Sequence, residues 1–232
     1  MPSPLSVPLS SGDAVSALVY EAVPASAVLL LGHGAGAGQS SPFMVQFAEA
    51  MAARGITSVT FNFLYMERRK KVPDPRPVLE DCYRRVVEAV RREVGSRLPL
   101  FVGGKSMGGR IASQIAAGDA ALPIQGLVLL GYPLHPPGRP DKMRDAHLPE
   151  IKPPVLFVQG SRDAFGTPSE LAPVLSRMMP SPTLHVVEGG DHSFKVSKGG
   201  AAGQLQTITG IHDTVAAWIE SSISRNPGIL NS

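Results

Sequence analysis

The chain has 232 residues, of which 43% are hydrophobic and 18% charged, a balance that supports a packed core and excludes wholesale disorder. Its net charge of +3 is too small and too dispersed to argue for a nucleic-acid partner. Its one cysteine, Cys82, excludes an internal disulfide, and the sequence offers no Cys/His cluster to suggest a metal or other cofactor. A reducing cytoplasm is therefore the expected compartment. Met1 to Ser11 carries three prolines and no basic residue, unlike a secretory signal. The longest apolar runs fall far short of the ~20 residues that span a bilayer. The length suits one α/β domain over residues 1–232, with a tail expected to fray after about residue 225.

In chain order, Leu5 to Leu9 and Val15 to Glu21 are short β-like runs around the turn Ser11-Gly12-Asp13, and predict an antiparallel hairpin. Ala27 to Leu31 is continuously apolar, as in a strand covered on both faces, and ends in the glycine-rich His33 to Gly38. Ser41 as N-cap and Pro42 at the first helical position open a helix whose Met44, Phe47, Ala48 and Met51 recur at helical spacing up to Gly55. Thr57 to Phe63 is the next strand. The loop after it, Glu67 to Lys71, holds four consecutive cations, which read as a solvated loop or as a positive rim for an anionic substrate or partner. Val78 to Val94 predicts a helix burying Leu79, Cys82, Tyr83, Val86 and Val90. Glu80–Arg84, Asp81–Arg85 and Glu88–Arg92 stand at i,i+4 on its outer face.

Leu98 to Val102 predicts a strand that runs into Gly103-Gly104-Lys105-Ser106-Met107-Gly108-Gly109, and Arg110 to Ala117 predicts a helix leading out. Strand, sharp turn with serine at its apex and helix form the context of a nucleophile elbow, which needs small residues two places before and after the serine; Gly104 and Gly108 stand there. Gly104-Lys105-Ser106 also ends like a phosphate-binding loop, but the first glycine of that motif would fall on Pro99. Further strands are expected at Gln125 to Gly131, Val155 to Gln159 and Thr183 to Val187. Tyr132 to Pro153, with six prolines, reads as a loop or minimal cap. Thr167 to Glu170 is a capping box, although Pro173 suggests that the helix starts later. Lys198 to Gly203 reads as a mobile glycine-rich loop before a final helix, Leu205 to Ile223.

Strands alternating with helices predict a mostly parallel, twisted sheet of seven or eight strands with helices on both faces. Sites in such sheets gather at the carboxyl ends of the strands. Serine is a weak nucleophile without a base, and the base needs an orienting acid. Ser106, Asp163 and His192 each follow a predicted strand and occur in the order nucleophile, acid, base that an α/β-hydrolase uses. The oxyanion formed by attack needs backbone donors: Met107 N–H after the nucleophile, and Ala35 N–H, or its neighbour Gly34, from the earlier glycine-rich loop. His33 reads as a loop anchor, Asp191 as a weaker acid candidate than Asp163, and His135 as a pocket-lining candidate. His147, His185 and His212 read as surface or helix-end residues, and Phe165 and Phe194 as core packing.

At His33–Gly38, Phe61–Lys71 with Pro73-Asp74-Pro75, Gly103–Arg110, Gln159–Gly166 and Asp191–Lys195, the chain resembles the compact α/β-hydrolases of the dienelactone-hydrolase-like kind. More closely it resembles the predicted hydrolases related to the testis-expressed hydrolase-like proteins and to the hydrolase-like subunit of the non-specific-lethal acetyltransferase complex. The resemblance covers residues 27 to 220. It implies the α/β-hydrolase fold and places nucleophile, acid and base on Ser106, Asp163 and His192, without a settled substrate. Dienelactone hydrolases proper use cysteine where this chain has Ser106, which puts their specific reaction in doubt. The expected function is a serine hydrolase acting on a small or soluble acyl ester. The alternative is a non-catalytic interaction module that keeps the fold.

Overall fold

The computed structural model describes residues 1–94 and 97–225; the tail expected to fray lies outside them. Strands β1 (Ser3–Pro8) and β2 (Ala14–Tyr20) form the expected hairpin, with Leu5 opposite Ala17. β2 then pairs antiparallel with β4 (Ile56–Phe61). From β4 onward all neighbours are parallel, through β3 (Ala27–Gly32), β5 (Leu100–Lys105), β6 (Gly126–Leu130), β7 (Val155–Gly160) and β8 (Thr183–Val187). The result is one eight-stranded sheet in the order β1-β2-β4-β3-β5-β6-β7-β8.

The apolar runs are continuous because both faces of the parallel strands are covered. Val28 and Leu30 join a core with helices α3 (Arg76–Glu93), α4 (Met107–Gly118) and α5 (Pro168–Leu175). Leu29 and Leu31 point to the other face, under α1 (Pro42–Ala52) and α6 (Gly200–Arg225). β6 divides the same way, Leu127 and Leu129 against Val128 and Leu130, as the two-residue period of a strand requires.

Several local expectations are revised. Ser41 takes the extended N-cap conformation of α1 but its side chain makes no capping bond. A single helical turn, α2 (Leu64–Glu67), opens the segment read as a loop. Of the three i,i+4 pairs expected on α3, Asp81–Arg85 forms at 3.8 Å. Glu80 pairs instead with Arg76, Arg84 with Asp119, and Arg92 with Glu93. α5 starts at Pro168 rather than near Pro173, because both bonds of the Thr167–Glu170 capping box fix its first turn. α6 begins at Gly200, inside the stretch read as a loop. Gln204 anchors that end by accepting from Val196 N–H and donating to the Phe194 carbonyl. Between β6 and β7 the cap is a short excursion with one 3₁₀ turn, Leu148–Glu150, held down by buried Leu148 and Ile151.

The crossing of β3, β5 and α4 is the tightest point of the fold. A Cβ at Gly104 or at Gly108 would overlap the backbone of Gly32. Gly210, on α6, faces open space. Gly108→Ala is therefore expected to lower stability by about 3 kcal/mol or to prevent folding. Gly210→Ala should raise stability by about 0.5–1 kcal/mol through helix propensity. Urea denaturation of the two variants checks the contrast; equal effects would contradict it.

Candidate active site

β5 delivers Ser106 at its carboxyl end. The residue has φ 51° and ψ −114°, a conformation that non-glycine residues rarely occupy. The strain is held from both sides. Ser106 N–H donates to the Leu130 carbonyl on β6 at 2.9 Å, and the Ser106 carbonyl accepts from Arg110 N–H at 3.0 Å as α4 begins. The serine hydroxyl is thereby lifted clear of the sheet.

Asp163 follows β7 and is 1% exposed. Its Oδ1 accepts from Phe165 N–H at 2.8 Å, and its Oδ2 accepts from Gln159 Nε2 at 2.8 Å. Gln159 is fully buried at the end of β7 and makes three further bonds: from Tyr132 N–H, and to the carbonyls of Tyr132 and Gly166. It is a positioning residue that sequence reasoning missed. The available signal was a lone amide closing an otherwise apolar buried strand.

His192 follows β8. Its loop is folded by Asp191, whose Oδ1 accepts from the N–H groups of Ser193 (2.8 Å) and Lys195 (2.9 Å). Asp191 thus shapes the turn and is not hydrogen-bonded to the imidazole. His192 Nδ1 lies 2.8 Å from Asp163 Oδ2, and Nε2 lies 2.9 Å from Ser106 Oγ. With Nδ1 protonated, the ring donates to the carboxylate and presents a lone pair to the serine hydroxyl. Phe165 stacks on the imidazole, with centroids 4.1 Å apart and planes at 29°. It lines the open site and is not the core residue expected; Phe194 is the buried one of the pair.

The glycine-rich loop after β3 closes the opposite wall. The N–H groups of Met107, Ala35 and Gly34 donate to no acceptor among the described residues. Gly34 and Ala35 line the same cavity as Ser106, and an added Cβ on Gly34 would lie 3.6 Å from the Ser106 Cβ. His33 is fully buried beneath this loop. Its Nε2 accepts from Phe63 N–H at 3.2 Å, which leaves Nδ1 to donate to the Gly34 carbonyl at 2.9 Å. It anchors the loop and does not touch the Ser106 hydroxyl.

Other sequence candidates fall elsewhere. His135 is buried against α5, with Nε2 3.3 Å from Glu170, and does not line the cavities at Ser106. His147 is half-buried beside the Ser113 hydroxyl at 2.8 Å, and burial drives its pKa down to about 4. His212 is buried on α6, edge-on to Phe47. Cys82 is buried and its thiol is pushed up to about 12, so it is inert as a nucleophile. In the basic stretch, Arg68 pairs with Asp13 at 2.8 Å, and none of Arg68 to Lys71 lines a cavity at Ser106.

Two cavities meet at Ser106. One, of about 440 Å³, is walled by Pro42, Phe43, Met44, Ala37 and Phe165 and is largely apolar. The other, of about 270 Å³, is walled by Asp74, Arg76, Arg110, Arg144 and Met107. Lys105, the last residue of β5, lines the first of them. Its stem lines the apolar cavity, while its ammonium is enclosed 5.2 Å from the Phe194 ring centroid and donates to the His192 carbonyl at 2.5 Å. Sequence reasoning gave it no part, because a lysine next to the serine looks like a motif letter until its side chain is seen tying the histidine loop down. Burial lowers its pKa to about 8, opposed in part by Asp163 and Asp191.

With fold and geometry established, kinship follows. A family model described as an alpha/beta hydrolase domain matches residues 25–220, and the chain belongs to that family. Among solved structures it is similar to the dienelactone hydrolase from Anabaena variabilis (19% identity, 95% of this chain and 97% of that one, TM-score 0.75). It is also similar to an α/β serine hydrolase without a lid from Xanthomonas campestris (22%, 97% and 94%, TM-score 0.70). A third is Est1E from Butyrivibrio proteoclasticus with ferulic acid bound (13%, 95% and 99%, TM-score 0.76). At these identities the likeness speaks for the fold. Among the described residues no helix is long and apolar enough to cross a membrane.

The Lys105 shift predicts a pH dependence. Its folded pKa, near 8, lies below the ordinary 10.5. Between those values the unfolded chain binds the extra proton, so stability rises with pH. The stability of wild type relative to Lys105→Met should therefore increase by roughly 2 kcal/mol between pH 7.5 and pH 10. Urea titrations of both proteins across that range test it; a constant difference would show that the ammonium is not desolvated.

Proposed function

We propose that this chain is a serine hydrolase of the esterase type, using Ser106 as nucleophile, His192 as general base and acid, and Asp163 as the group that orients and stabilises the imidazolium. The observation that carries the reading is the unbroken hydrogen-bonded line from Ser106 Oγ through His192 to Asp163, at 2.9 and 2.8 Å. Its members come from three loops at the carboxyl edge of the sheet. The buried carboxylate is held in place by Gln159 and Phe165 N–H and accepts from the imidazole, which orients that ring. The strained backbone at Ser106 is a second support, since such strain persists where a side chain must be presented.

In the proposed reaction Ser106 Oγ attacks the ester carbonyl while His192 Nε2 takes its proton. The oxyanion is received by the free N–H groups of Met107 and of Ala35 or Gly34. The C–O bond to the alcohol breaks, and that oxygen takes the proton back from His192. Water, deprotonated by the same imidazole, then attacks the acyl carbonyl; the bond to Ser106 Oγ breaks, that oxygen takes the proton from His192, and the acid is released. The domain is proposed to act as one unit over residues 1–232, in the cytoplasm and without a cofactor. The structural neighbours, which include Est1E with ferulic acid bound, a cold-adapted esterase and a serine hydrolase without a lid, are in keeping with ester chemistry in an open site. The narrower kinship to the testis-expressed and non-specific-lethal-complex proteins remains part of this proposal and names no substrate. No observation favours the interaction-module alternative.

Short p-nitrophenyl esters test the reading. Wild type should turn them over; Ser106→Ala should lose the activity, and Asp163→Asn should lower kcat by a factor on the order of 10³ or more with KM little changed. Circular dichroism checks that both variants fold. Undiminished turnover in folded Ser106→Ala would overturn the assignment.

A further inference from the structure

The smaller cavity beside Ser106 has a composition that the hydrolase reading does not use. Arg110 lies one helical turn beyond Ser106 on α4, and both residues line this cavity. Its Nε is buried with no hydrogen-bond partner, and its guanidinium forms no ion pair among the described residues. Asp74, which also lines this cavity, has a buried Oδ2 with no hydrogen-bond partner. An unmet donor and an unmet acceptor, both buried and charged, are each costly to a folded protein. Both line a space of about 270 Å³ that also reaches Ser106, and they form no ion pair with each other.

The surrounding charges keep that polarity. Arg144 lines the cavity and is held by its Nη1 bond to the Pro133 carbonyl at 3.4 Å. Arg76 lines it too, with its Nε committed to Glu80. Beyond the wall, Asp145 is occupied by Arg177 at 2.6 Å and His147 by Ser113, so neither neutralises Arg110. Burial first, then the Arg144 and Arg76 charges, press down the pKa of Arg110, opposed in part by Tyr132 and Glu80. The arginine side therefore takes a carboxylate, for which a guanidinium is the matched donor. The aspartate side takes an ammonium.

We infer that this cavity is a subsite for an amino-acid-like group, so that the substrate is an ester carried on the side chain of a zwitterionic α-amino acid. The carboxylate is held by Arg110 and Arg144, the ammonium by Asp74, and the ester carbonyl reaches Ser106. The inference rests on the hydrolase reading for its chemistry and on the cavity alone for its binding.

Three methyl esters of one chain length separate the contributions: methyl valerate, monomethyl glutarate and γ-methyl L-glutamate, followed by methanol release. The expected order of kcat/KM is γ-methyl L-glutamate above monomethyl glutarate above methyl valerate, each step about ten-fold. Arg110→Gln should lower the ratio of γ-methyl L-glutamate to methyl valerate at least ten-fold, and Asp74→Asn should bring γ-methyl L-glutamate down to the glutarate value. Arg139→Gln, an exposed cap arginine paired with Asp141, should leave those ratios unchanged. Equal rates for all three esters, or glutarate equal to or above the amino-acid ester, overturn the inference. Binding is read apart from turnover by titrating γ-methyl L-glutamate calorimetrically into Ser106→Ala, where a second substitution, Arg144→Gln, should weaken it about ten-fold. If wild type cleaves none of the esters yet this binding is seen, the hydrolase reading falls and the subsite stands. If the esters are cleaved without discrimination and no binding is seen, the subsite falls and the hydrolase reading stands.

Discussion

The turn at Ser106 is the constraint on which the rest of the structure depends. A chain leaving a buried strand must reverse into a helix within two residues while holding a serine hydroxyl away from the sheet. Only a left-handed backbone at Ser106 does this, and it is kept because Gly32, Gly104 and Gly108 let three backbones approach where no side chain fits. The elbow binds β3, β5, β6 and α4 together, so the site's geometry and the stability of the sheet's centre are the same physical fact. Strain there is offset by two ordinary backbone hydrogen bonds and by the close-packed layers on either side.

The site is assembled from loops whose shapes are each fixed by one polar residue. Asp191 folds the histidine loop, Gln159 fixes the aspartate turn, His33 holds the glycine-rich loop, and Lys105 fastens the His192 carbonyl. Gln159, His33 and Lys105 do so from desolvated positions, where such bonds are strong and their loss is costly, whereas Asp191 makes its bonds at the surface. The cavity walls divide apolar from charged across Ser106. That division is a property of where α1 and α3 begin, since α1 brings Phe43 and Met44 to one side and the start of α3 brings Arg76 to the other.

Much of this is legible in the amino-acid order. The all-apolar runs at β3, β6 and β7 announce strands covered on both sides, and the glycines around Ser106 announce the elbow. Ser106, Asp163 and His192 are legible as candidates because each follows such a run, and the structure brings their side chains within hydrogen-bonding distance. What is not legible depends on where long side chains end. Lys105, Arg110 and Arg144 are ordinary letters in the sequence, and Arg76 lies just ahead of the helix expected from Val78. Only the fold shows that the first is enclosed against Phe194 and the others face a cavity. The four consecutive cations at Arg68 to Lys71, the most visible basic feature of the sequence, do not line it. Local pairing on α3 was equally hidden, because tertiary partners such as Asp119 outcompete the neighbour four residues away. The boundaries of α5 and α6 moved for a similar reason: a satisfied capping box and the anchoring amide of Gln204 outweigh the local cost of a proline or glycines.

The central claim, that this relay makes Ser106 a nucleophile, is tested most directly by treating the folded protein with a fluorophosphonate and locating the adduct by peptide mass spectrometry. The account predicts a single adduct, on the peptide that carries Ser106. An unmodified protein, or an adduct on the neighbouring Ser41 or Ser193 with Ser106 untouched, would contradict it.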